Sequence, residues 1–479
     1  MSNLFIVIIV LCICILVIIY IIGRHFHRKK HINLRLEKHD QYLQGIKLKE
    51  GKTDLPNIII IFCDDMGYAD ISCFGATTIQ TPNIDSLARD GMELTHSYSS
   101  SPVCSPSRAG LMTGRYPTRM HVNCVYFPKN TLIDIALKAI HFYTYGVRGI
   151  LADEVTIPEV LQKVGYKTAM VGKWHLGDCK PHRPTDKGFD FFYGSYYSND
   201  MKPYAMYKNE EIDIPAPMNQ DILTKQLTKE AIGFIEENYD KPFFLHYCQP
   251  FPHDPLHASD DFKGTSKAGI YGDAVQEVDW SIGEILKTLD KHDLRKNTLV
   301  LFTSDNGPWH EGNPGYHRGR KGLTFEGGQR VPMIAYWPGI IPAGKKIDAP
   351  TMNIDIFPTV LDILGIDLPG DRIIDGKSML PVLKGLTNES PHEILHYFWG
   401  KKLLAARMGN WKYHVKHASD NSSYFFVRVG PFLFNLAEDQ NESYNQIPHH
   451  PEQAKIMAEK IQEMKDSLKK NIRGWKEAR

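Results

Sequence analysis

The segment around Cys104 places a nucleophilic side chain next to a predicted helix N-terminus. Ser105 is a good N-cap residue, Pro106 suits the first helical position, and a helix-forming run follows. A group on Cys104 would face unpaired backbone N–H groups, where negative charge is stabilised. Arg108 adds a cation one turn later. A buried structural thiol is the alternative interpretation, and the surrounding chemistry has to distinguish the two.

Two apolar runs that predict buried strands each end in a pair of oxygen-bearing side chains. Asp64 and Asp65 follow the first run, and Asp305 and Asn306 follow the last. Ligand sites of open α/β sheets gather at the carboxyl ends of strands, so both pairs should share one edge. Three carboxylates and an amide form an oxygen set that favours Ca²⁺ or Mg²⁺. Two unrelated turns are the alternative, but the shared position after strands favours a metal site.

Cationic side chains follow other predicted strands. Lys173 and His175 lie two residues apart, His253 follows a third apolar run, and Lys321 lies in a glycine-rich segment. A single residue of this kind is usually a surface or core residue. Together with Arg108 they could bind a tetrahedral oxyanion and protonate a leaving group. The residues alone therefore indicate metal-assisted hydrolysis of a sulfate or phosphate ester.

The composition of the chain argues against several classes of function. The chain has 479 residues and a formal net charge of +1, so no overall basic character points to nucleic acid, and none is expected as a partner. Its eight cysteines contain no Cys-x-x-Cys pair, which argues against zinc ribbons, thioredoxin-type motifs and a disulfide scaffold.

Strand-like and helical patterns alternate through most of the chain. Apolar runs at 57–62, 243–245 and 298–303 predict strands buried on both faces of a parallel sheet. The predicted helices between and around them are Asn83–Asp90, Ile157–Val164, Leu223–Asn238 and Gly272–Asp290. This alternation predicts an α/β domain over residues 55–385, with a large, mainly parallel mixed sheet flanked by helices.

The last part of the chain has a different pattern. Short strand-like segments at 396–399 and 410–415 precede an amphipathic helix at Glu452–Lys469. The apolar face of this helix is predicted to carry Ile456, Met457, Ile461, Met464 and Leu468. Residues 386–479 are therefore expected to form a smaller C-terminal α+β domain.

The N-terminal region differs from a globular domain. Residues 4–23 are almost uninterrupted apolar side chains, close to the length that spans a bilayer, and are interpreted as a membrane anchor or a signal segment within residues 1–23. Residues 24–54 are charged and read as a tether. A further apolar stretch at 132–151 predicts a packing helix or an apolar entrance to the site.

Five motifs in order identify a resemblance to the type I sulfatases of the alkaline-phosphatase superfamily. They cover roughly residues 55–385, and they are Asp64-Asp65, Cys104–Arg108, Gly172–Gly177, Ser304–Gly307 and Lys321–Gly328. The resemblance implies an alkaline-phosphatase-like fold and a sulfuric ester hydrolase of the arylsulfatase type. Its substrates would be aryl, steroid or sugar sulfates, since further stretches resemble all three kinds of member.

The resemblance also implies a modification of Cys104. In the family this cysteine is oxidised by a formylglycine-generating enzyme, and the hydrated aldehyde attacks sulfur beside one Ca²⁺ ion. His175 would assist deprotonation of the nucleophile, Arg108 would hold the modified residue, and His253 or Lys321 would be the general acid. The implied catalytic residues are Cys104, Arg108, His175, His253 and Lys321. The implied metal ligands are Asp64, Asp65, Cys104, Asp305 and Asn306. The implied sulfate-binding residues are Lys173, Ser198, His253 and Lys321.

Two other functions remain open from the residues. The same chemistry would serve a phosphate or phosphonate ester hydrolase, and a sulfatase fold could bind sulfated ligands without cleaving them. The formylglycine modification places the catalytic domain in the secretory route, lumenal or extracellular, either membrane-anchored or secreted. Sequons at Asn388, Asn421 and Asn441 agree with a glycoprotein. The basic cluster at 24–30 favours the opposite orientation, so the topology rests on the chemistry.

Overall fold

The central strand of the molecule is β1 (Asn57–Cys63), and all of its residues are buried. The computed structural model describes residues 33–52, 54–128, 149–415 and 430–476. Along β1, Ile58 and Ile60 belong to the hydrophobic core on one face of the sheet, and Ile59 and Ile61 belong to the core on the other. An unbroken β-branched run is needed here because helices cover both faces.

The described strands form one large and two small sheets. The ten-stranded sheet has the order β12-β2-β11-β9-β1-β8-β4-β5-β6-β7, the three-stranded sheet is β10-β3-β13, and the four-stranded sheet is β14-β15-β16-β17. The strands after β1 are β2 (Met92–Leu94), β3 (Ser97–Tyr98), β4 (Lys167–Lys173), β5 (Phe191–Ser195), β6 (Met206–Lys208), β7 (Glu211–Ile214), β8 (Phe243–Gln249), β9 (Thr298–Ser304), β10 (Arg330–Val331), β11 (Met333–Tyr336), β12 (Lys345–Ile347), β13 (Thr351–Met352), β14 (Leu395–Trp399), β15 (Lys402–Met408), β16 (Trp411–His414) and β17 (Phe432–Asn435).

The described α-helices flank the sheets of the molecule. They are α1 (33–45), α2 (Pro82–Asp90), α3 (Cys104–Thr113), α4 (Ile157–Lys163), α5 (Leu223–Asn238), α6 (Gly269–Lys291), α7 (Glu326–Gln329), α8 (Ile356–Leu364), α9 (Leu380–Leu383) and α10 (Pro451–Lys470). Apolar side chains of α2, α5 and α6 fill the core on one face, and those of α3, α4 and α8 fill the other. This three-layer arrangement confirms the predicted α/β class.

The centre of the large sheet is parallel. Strands β9, β1, β8, β4 and β5 pair in parallel, whereas β11, β6 and β7 pair antiparallel towards the two edges. The carboxyl ends of five neighbouring strands therefore lie along one edge of the sheet. The loops that follow these strands carry most of the polar residues singled out in the sequence.

The C-terminal domain consists of the antiparallel sheet β14–β17 with α10 packed against it. The apolar face of α10 differs from the prediction at one position. Met457, Ile461 and Leu468 are buried as expected, but Ile456 is 44% exposed and Ala454 is buried instead. The helix is rotated so that a small residue meets the sheet, and placing Ile456 on the packed face is wrong.

A buried ion-pair network joins the two domains, and it consists of Glu326, Lys412, His414 and Glu442. The Lys412 Nζ atom lies 2.8 Å from Glu326 and 3.3 Å from Glu442. His414 Nε2 lies 2.8 Å from Glu442 Oε1, and Glu442 Oε2 accepts the backbone N–H of Glu326 at 2.6 Å. Tyr98 donates its hydroxyl to the remaining Glu326 oxygen at 2.6 Å. All four carboxylate oxygens are therefore paired.

Part of the expected charged tether is folded against the catalytic domain. Helix α1 buries Leu43 in the hydrophobic core, and the Tyr42 hydroxyl donates to the Asp367 carbonyl at 2.8 Å. His39 lies 3.3 Å from Glu159. The charged residues that suggest a tether lie mostly on the outer side of α1, so their composition hides an amphipathic helix.

The predicted anchor at 4–23, the sequon at Asn421 and nearly all of the apolar stretch at 132–151 lie outside the described residues. Within the described ranges, no helix has the length and apolar content needed to cross a membrane. Among the residues that the structure describes, Cys63, Cys73, Cys104, Cys124 and Cys248 form no disulfide bond with one another.

Candidate active site

The two oxygen-bearing pairs lie side by side at the carboxyl edge of the sheet. Strands β1 and β9 are neighbours, with Cys63 opposite Ser304, so the residues that follow them meet. The Asp65 backbone N–H donates to Asp305 Oδ1 at 3.2 Å, and Asn306 Nδ2 donates to Asp65 Oδ1 at 2.7 Å. The expectation that one edge holds both pairs is confirmed by this geometry.

Cys104 reaches the same edge from the other side of the site. It is 2% exposed and is the first residue of α3, with extended Val103 as the N-cap. The prediction that Ser105 caps the helix and Pro106 begins it is therefore wrong by two residues. The Ser105 hydroxyl instead accepts the Tyr126 backbone N–H at 3.1 Å, because Val103 already provides the extended-to-helical transition.

The environment of the Cys104 thiol opposes thiolate formation. Burial, followed by the nearby Asp64 carboxylate, raises the pKa of Cys104 far above its ordinary value. Lys173 and Lys321 act in the opposite direction without reversing the shift. An unmodified Cys104 would therefore be a weak nucleophile at neutral pH.

Three cations balance the three carboxylates of the site. Lys173 Nζ contacts Asp64 Oδ2, and Lys321 Nζ donates to Asp65 Oδ2 at 2.7 Å. Arg108 lies 2.8 Å from Asp305, and its Nη1 donates to the Lys173 carbonyl at 2.8 Å. The sequence places these residues on α3, at the end of β4 and in the segment before α7, and the fold brings them together.

The carboxylates of the site differ in the direction of their pKa shifts. Burial acts against the charge of Asp64, but Lys173, His253 and Arg108 outweigh it and hold its pKa well below the usual range. Burial and the Asp64 charge raise the pKa of Asp305 to about 7. Closely placed carboxylates produce this split, which is typical of functional sites.

His175 has one ring nitrogen bonded and one without a partner. Its Nε2 lies 2.9 Å from the Tyr126 carbonyl, so Nε2 carries the hydrogen, and its buried Nδ1 has no hydrogen-bond partner within the described ranges. Burial and the charge of Lys173 hold the pKa of His175 well below the usual value. A neutral imidazole with a free lone pair is suited to accept a proton.

His253 lies on the loop after β8 and faces the cluster through Nε2. This atom lies 3.5 Å from Ser198 Oγ and 3.7 Å from Asp65 Oδ2. Ser198 in turn accepts a hydrogen bond from Lys173 Nζ at 3.0 Å. The structure thus brings Ser198 next to both of its predicted companions.

The donor atoms of the site are placed so that they could hold a metal ion. The ligand atoms of Asp64, Asp65, Cys104 and His253 all lie within 4.8 Å of one another. Asp64 Oδ1 and Asn306 Oδ1 are buried and have no hydrogen-bond partner among the residues that the structure describes, which is the state expected of oxygens that bind a cation. Arg108 Nη2 lies 3.5 Å from Asp64 Oδ1. The four-residue group contains two carboxylates, one thiol and one imidazole, and the two buried oxygens add hard donors beside it.

Asp305 departs from the tightest metal-binding group. Its side chain is occupied by Arg108 and by the Asp65 backbone N–H, while His253 stands closer to the other ligand atoms. Its place among the predicted ligands stays a prediction.

Several residues around the site were not singled out in the sequence. Tyr126 bonds His175, and Asn199 bonds His253 Nδ1 at 3.1 Å. Ser304 Oγ accepts the Met66 backbone N–H at 2.9 Å, which holds the loop after β1. Only the adjacency of Asn199 to Ser198 offered a signal, because the other partners lie far apart in the chain.

Comparisons with known proteins agree with this geometry. The sulfatase family model matches residues 56–366, and the model for the N-sulphoglucosamine sulphohydrolase C-terminal region matches residues 313–471. Steryl-sulfatase of Homo sapiens is 37% identical over 439 residues, which cover 74% of this chain and 73% of that protein. N-acetylgalactosamine-6-sulfatase of Mus musculus is 38% identical over 399 residues, which cover 77% of this chain and 73% of that protein.

A solved structure supports the fold assignment. The crystal structure of a sulfatase from Pseudoalteromonas sp. superposes with a TM-score of 0.78 at 28% identity, covering 91% of this chain and 95% of that one. The chain belongs to the sulfatase family. It is a sulfuric ester hydrolase with an alkaline-phosphatase-like fold.

Proposed function

We propose that this protein hydrolyses sulfate esters in a calcium-dependent reaction whose nucleophile is made from Cys104. The observation that carries the proposal is the juxtaposition of Cys104 with Asp64 and Asp65, whose ligand atoms lie within 4.8 Å of one another. Lys173 and Lys321 stand beside the same carboxylates. A nucleophile, a cation site and anion-binding groups therefore share one small volume.

The nucleophile is proposed to be a formylglycine derived from Cys104. The raised pKa of the Cys104 thiol speaks against catalysis by an unmodified thiolate. Once hydrated, formylglycine supplies two hydroxyl groups at this position, one to attack sulfur and one to release sulfate afterwards. The formylglycine-generating enzyme is accordingly a proposed partner.

The metal ion is proposed to be Ca²⁺, held by Asp64, Asp65 and Asn306 together with residue 104, with Asp305 alongside. The two buried oxygens without hydrogen-bond partners, Asp64 Oδ1 and Asn306 Oδ1, support this choice. When bound, the ion supplies positive charge that lowers the pKa of a coordinated hydroxyl.

The remaining side chains bind the anion and move protons. Lys173, Lys321 and Ser198 are placed to hold the sulfate oxygens. Arg108 compensates the carboxylate charge of the site through its ion pair with Asp305. His175 Nδ1 has a free lone pair and accepts the proton of the attacking hydroxyl. Each of these groups is already fixed by hydrogen bonds or ion pairs, which limits reorganisation during the reaction.

His253 is the better placed of the two general-acid candidates. Lys321 Nζ is bound at 2.7 Å to Asp65, whereas His253 Nε2 has contacts of 3.5 Å and longer. Exposure does not distinguish the two candidates, because the side chain of His253 is 12% exposed and that of Lys321 is 14% exposed. Because its contacts are the longer ones, His253 donates the proton to the departing oxygen.

The test combines peptide mass spectrometry with kinetics. The peptide containing residue 104 should carry an aldehyde or its hydrate in place of the thiol. Hydrolysis of para-nitrophenyl sulfate should stop on chelation, return with Ca²⁺, and be lost in Cys104→Ala. Cys73→Ala is the matched control and should retain activity, since Cys73 lies outside the site.

Three results would overturn the proposal. Fully active protein with an unmodified thiol at position 104 would exclude the mechanism. Faster turnover of the matched phosphate ester would indicate a phosphate or phosphonate ester hydrolase, and absence of turnover by modified, calcium-loaded protein would indicate a binding protein.

The substrate class and the location are further parts of the proposal. Aryl, steroid and sugar sulfates are the candidates, because similar relatives are named for a steryl and a sugar substrate. A panel of the three classes should identify one by kcat/KM. A lumenal or extracellular catalytic domain is supported by the exposed sequons at Asn388 and Asn441, and protease protection of intact vesicles tests it together with membrane attachment through residues 4–23.

A further inference from the structure

We infer that Asn199 is a positioning residue for the leaving-group step: it fixes the tautomer and the direction of His253. This inference rests on the proposed function, because it concerns how His253 delivers its proton during sulfate ester hydrolysis. It is carried by the hydrogen bonds of two buried or half-buried side chains that belong to different loops, one after β5 and one after β8.

The orientation of the Asn199 amide follows from its surroundings. Asn199 is 2% exposed, and its Nδ2 faces three oxygens: Gln220 Oε1 at 3.1 Å, the Pro255 carbonyl at 3.0 Å and the His253 carbonyl at 3.4 Å. All three are acceptors only, so the nitrogen of the amide must lie on this side. The acceptor Oδ1 is thereby turned towards the ring of His253.

Two acceptors surround His253 Nδ1. Asn199 Oδ1 lies at 3.1 Å and the Asp254 carbonyl at 2.5 Å. Neither can donate a hydrogen, so Nδ1 carries one, and the other ring nitrogen is the one that exchanges a proton. The carbonyl belongs to the next residue and moves with the ring, whereas Asn199 ties the ring to a separate, buried loop.

The consequence is that Nε2 points into the site. It faces Ser198 Oγ at 3.5 Å and Asp65 Oδ2 at 3.7 Å, the two groups that flank the anion-binding lysines. When the sulfur–oxygen bond to the alcohol breaks, the proton on Nε2 passes to the departing oxygen and a neutral alcohol leaves. The ring is a cation while both nitrogens carry hydrogen, and the transfer leaves it neutral, with its hydrogen on Nδ1 and a lone pair on Nε2.

The Ser198-Asn199 pair thus serves two parts of the reaction through adjacent residues. Ser198 contacts Lys173 on the sulfate side, and Asn199 contacts His253 on the leaving-group side. Gln220 also contacts this pair, since its Nε2 donates to the Asn199 backbone carbonyl at 3.0 Å. Gln220 supports the loop but does not contact His253 in the hydrogen bonds of the described residues.

The test uses leaving groups of different acidity. Asn199→Leu should lower kcat for phenyl sulfate by about 30-fold, and for para-nitrophenyl sulfate by less than about threefold, because a good leaving group needs little protonation. KM should change little for either ester. In a His253→Ala background, the same substitution should have no further effect on kcat.

A conservative variant separates positioning from loop support. Asn199→Asp keeps an acceptor beside Nδ1 but sets its second oxygen against the three acceptors that Nδ2 faced, so it should restore part of the phenyl sulfate rate while lowering stability. Gln220→Leu is the matched control, and it should affect both esters equally and weakly. Equal losses of kcat for both esters in Asn199→Leu, or no rescue by aspartate, would overturn the inference.

A spectroscopic measurement distinguishes failure of the inference from failure of the proposed function. Nitrogen NMR of histidine-labelled Cys104→Ala protein should show His253 with a protonated Nδ1, assigned by the signal missing from the His253→Ala double variant. Asn199→Leu should convert this signal to a mixture of tautomers. An unchanged tautomer contradicts the role of Asn199, whatever the enzyme hydrolyses, whereas loss of turnover with the predicted NMR change contradicts only the function.

Discussion

The active site and the interdomain ion-pair network contain similar side chains but differ in how completely their acceptors are paired. Both are buried clusters of carboxylates, lysine and histidine. In the network, all four oxygens of Glu326 and Glu442 have partners within 3.3 Å. In the described part of the active site, Asp64 Oδ1 and Asn306 Oδ1 have no hydrogen-bond partner, although Arg108 Nη2 lies 3.5 Å from Asp64 Oδ1.

The difference shows how to tell a structural cluster from a reactive one. Carboxylates whose oxygens are all paired can hold two domains together, but they leave no free oxygen for a ligand. Acceptors that are buried without a partner lower the stability of the fold unless a bound ion or ligand pairs with them. We therefore expect substitutions in the active site to act mainly on turnover, and those in the network mainly on the free energy of unfolding.

The largest effect is expected at Asp64. Asp64→Asn removes a charge that faces the cation site while keeping the shape of the side chain. We expect kcat/KM for an aryl sulfate to fall by about a thousandfold or more, as for loss of a principal electrostatic contributor. Calorimetric Ca²⁺ titration should show lost binding, and thermal unfolding should show retained structure. Activity within about tenfold of wild type would contradict the assignment.

The next largest effect is expected at Lys412, in the network. Lys412→Met leaves Glu326 and Glu442 buried without their shared cation, and it should reduce the free energy of unfolding by about 3–5 kcal/mol. Urea denaturation measures this change, and kcat of the folded fraction should remain within about twofold. Lys291→Met, in an exposed pair with Glu236, is the control and should leave stability unchanged.

The stability of the fold at low pH should depend on His317, which lies beside the network. Burial, followed by the charge of Arg330, lowers the pKa of His317 from 6.5 to about 4. As pH falls, His317 therefore takes up its proton in the unfolded chain before it does so in the folded protein. The contribution of neutral His317 to the free energy of unfolding is complete above about pH 6.5 and is lost as pH falls towards 4. His317 accounts for at most about 3 kcal/mol of that loss.

His317→Gln should therefore flatten the pH dependence of unfolding between pH 6.5 and 4, measured by urea denaturation at several pH values. His449→Gln is the control, since His449 is exposed. An unchanged slope in His317→Gln would show that other groups cause the acid loss.

The smallest effects are expected from removing one hydroxyl in each region. Ser198→Ala loses the hydrogen bond from Lys173, and kcat/KM should fall about fivefold to tenfold with no change in stability. Tyr98→Phe loses the hydrogen bond to Glu326 and should cost about 1–2 kcal/mol of stability with unchanged kcat. The opposite pattern in either variant would break the distinction between the two regions.

Prediction from the sequence succeeds where the signal is local. Helix α5 begins and ends at the predicted residues, and β1 and β9 extend the predicted strands by one residue each. The periodicity of apolar residues determines such elements, and the residues directly after a strand follow it to the same edge. This is why the positions of Asp64 and Asp305 could be anticipated from the sequence.

Prediction fails where several alternatives satisfy the same local pattern. Residue 456 could lie on either side of the apolar face of α10, and packing against the sheet selected Ala454 instead. The charged composition of residues 33–45 suits a tether as well as a helix, and burial of Leu43 decides for the helix. Val103 competes with Ser105 as the N-cap, and its extended backbone decides the start of α3.

The sequence by itself determined the α/β class, the oxygen donors after β1 and β9, and the motifs that place the chain among the sulfatases. Only the tertiary structure decided which charges are paired and which acceptors stay free. The contact between Asn199 and His253 joins residues 54 positions apart, and that between Asp65 and Asn306 joins residues 241 apart. Secondary structure depends on neighbours along the chain, whereas pairing depends on strand order and packing, which no local pattern encodes.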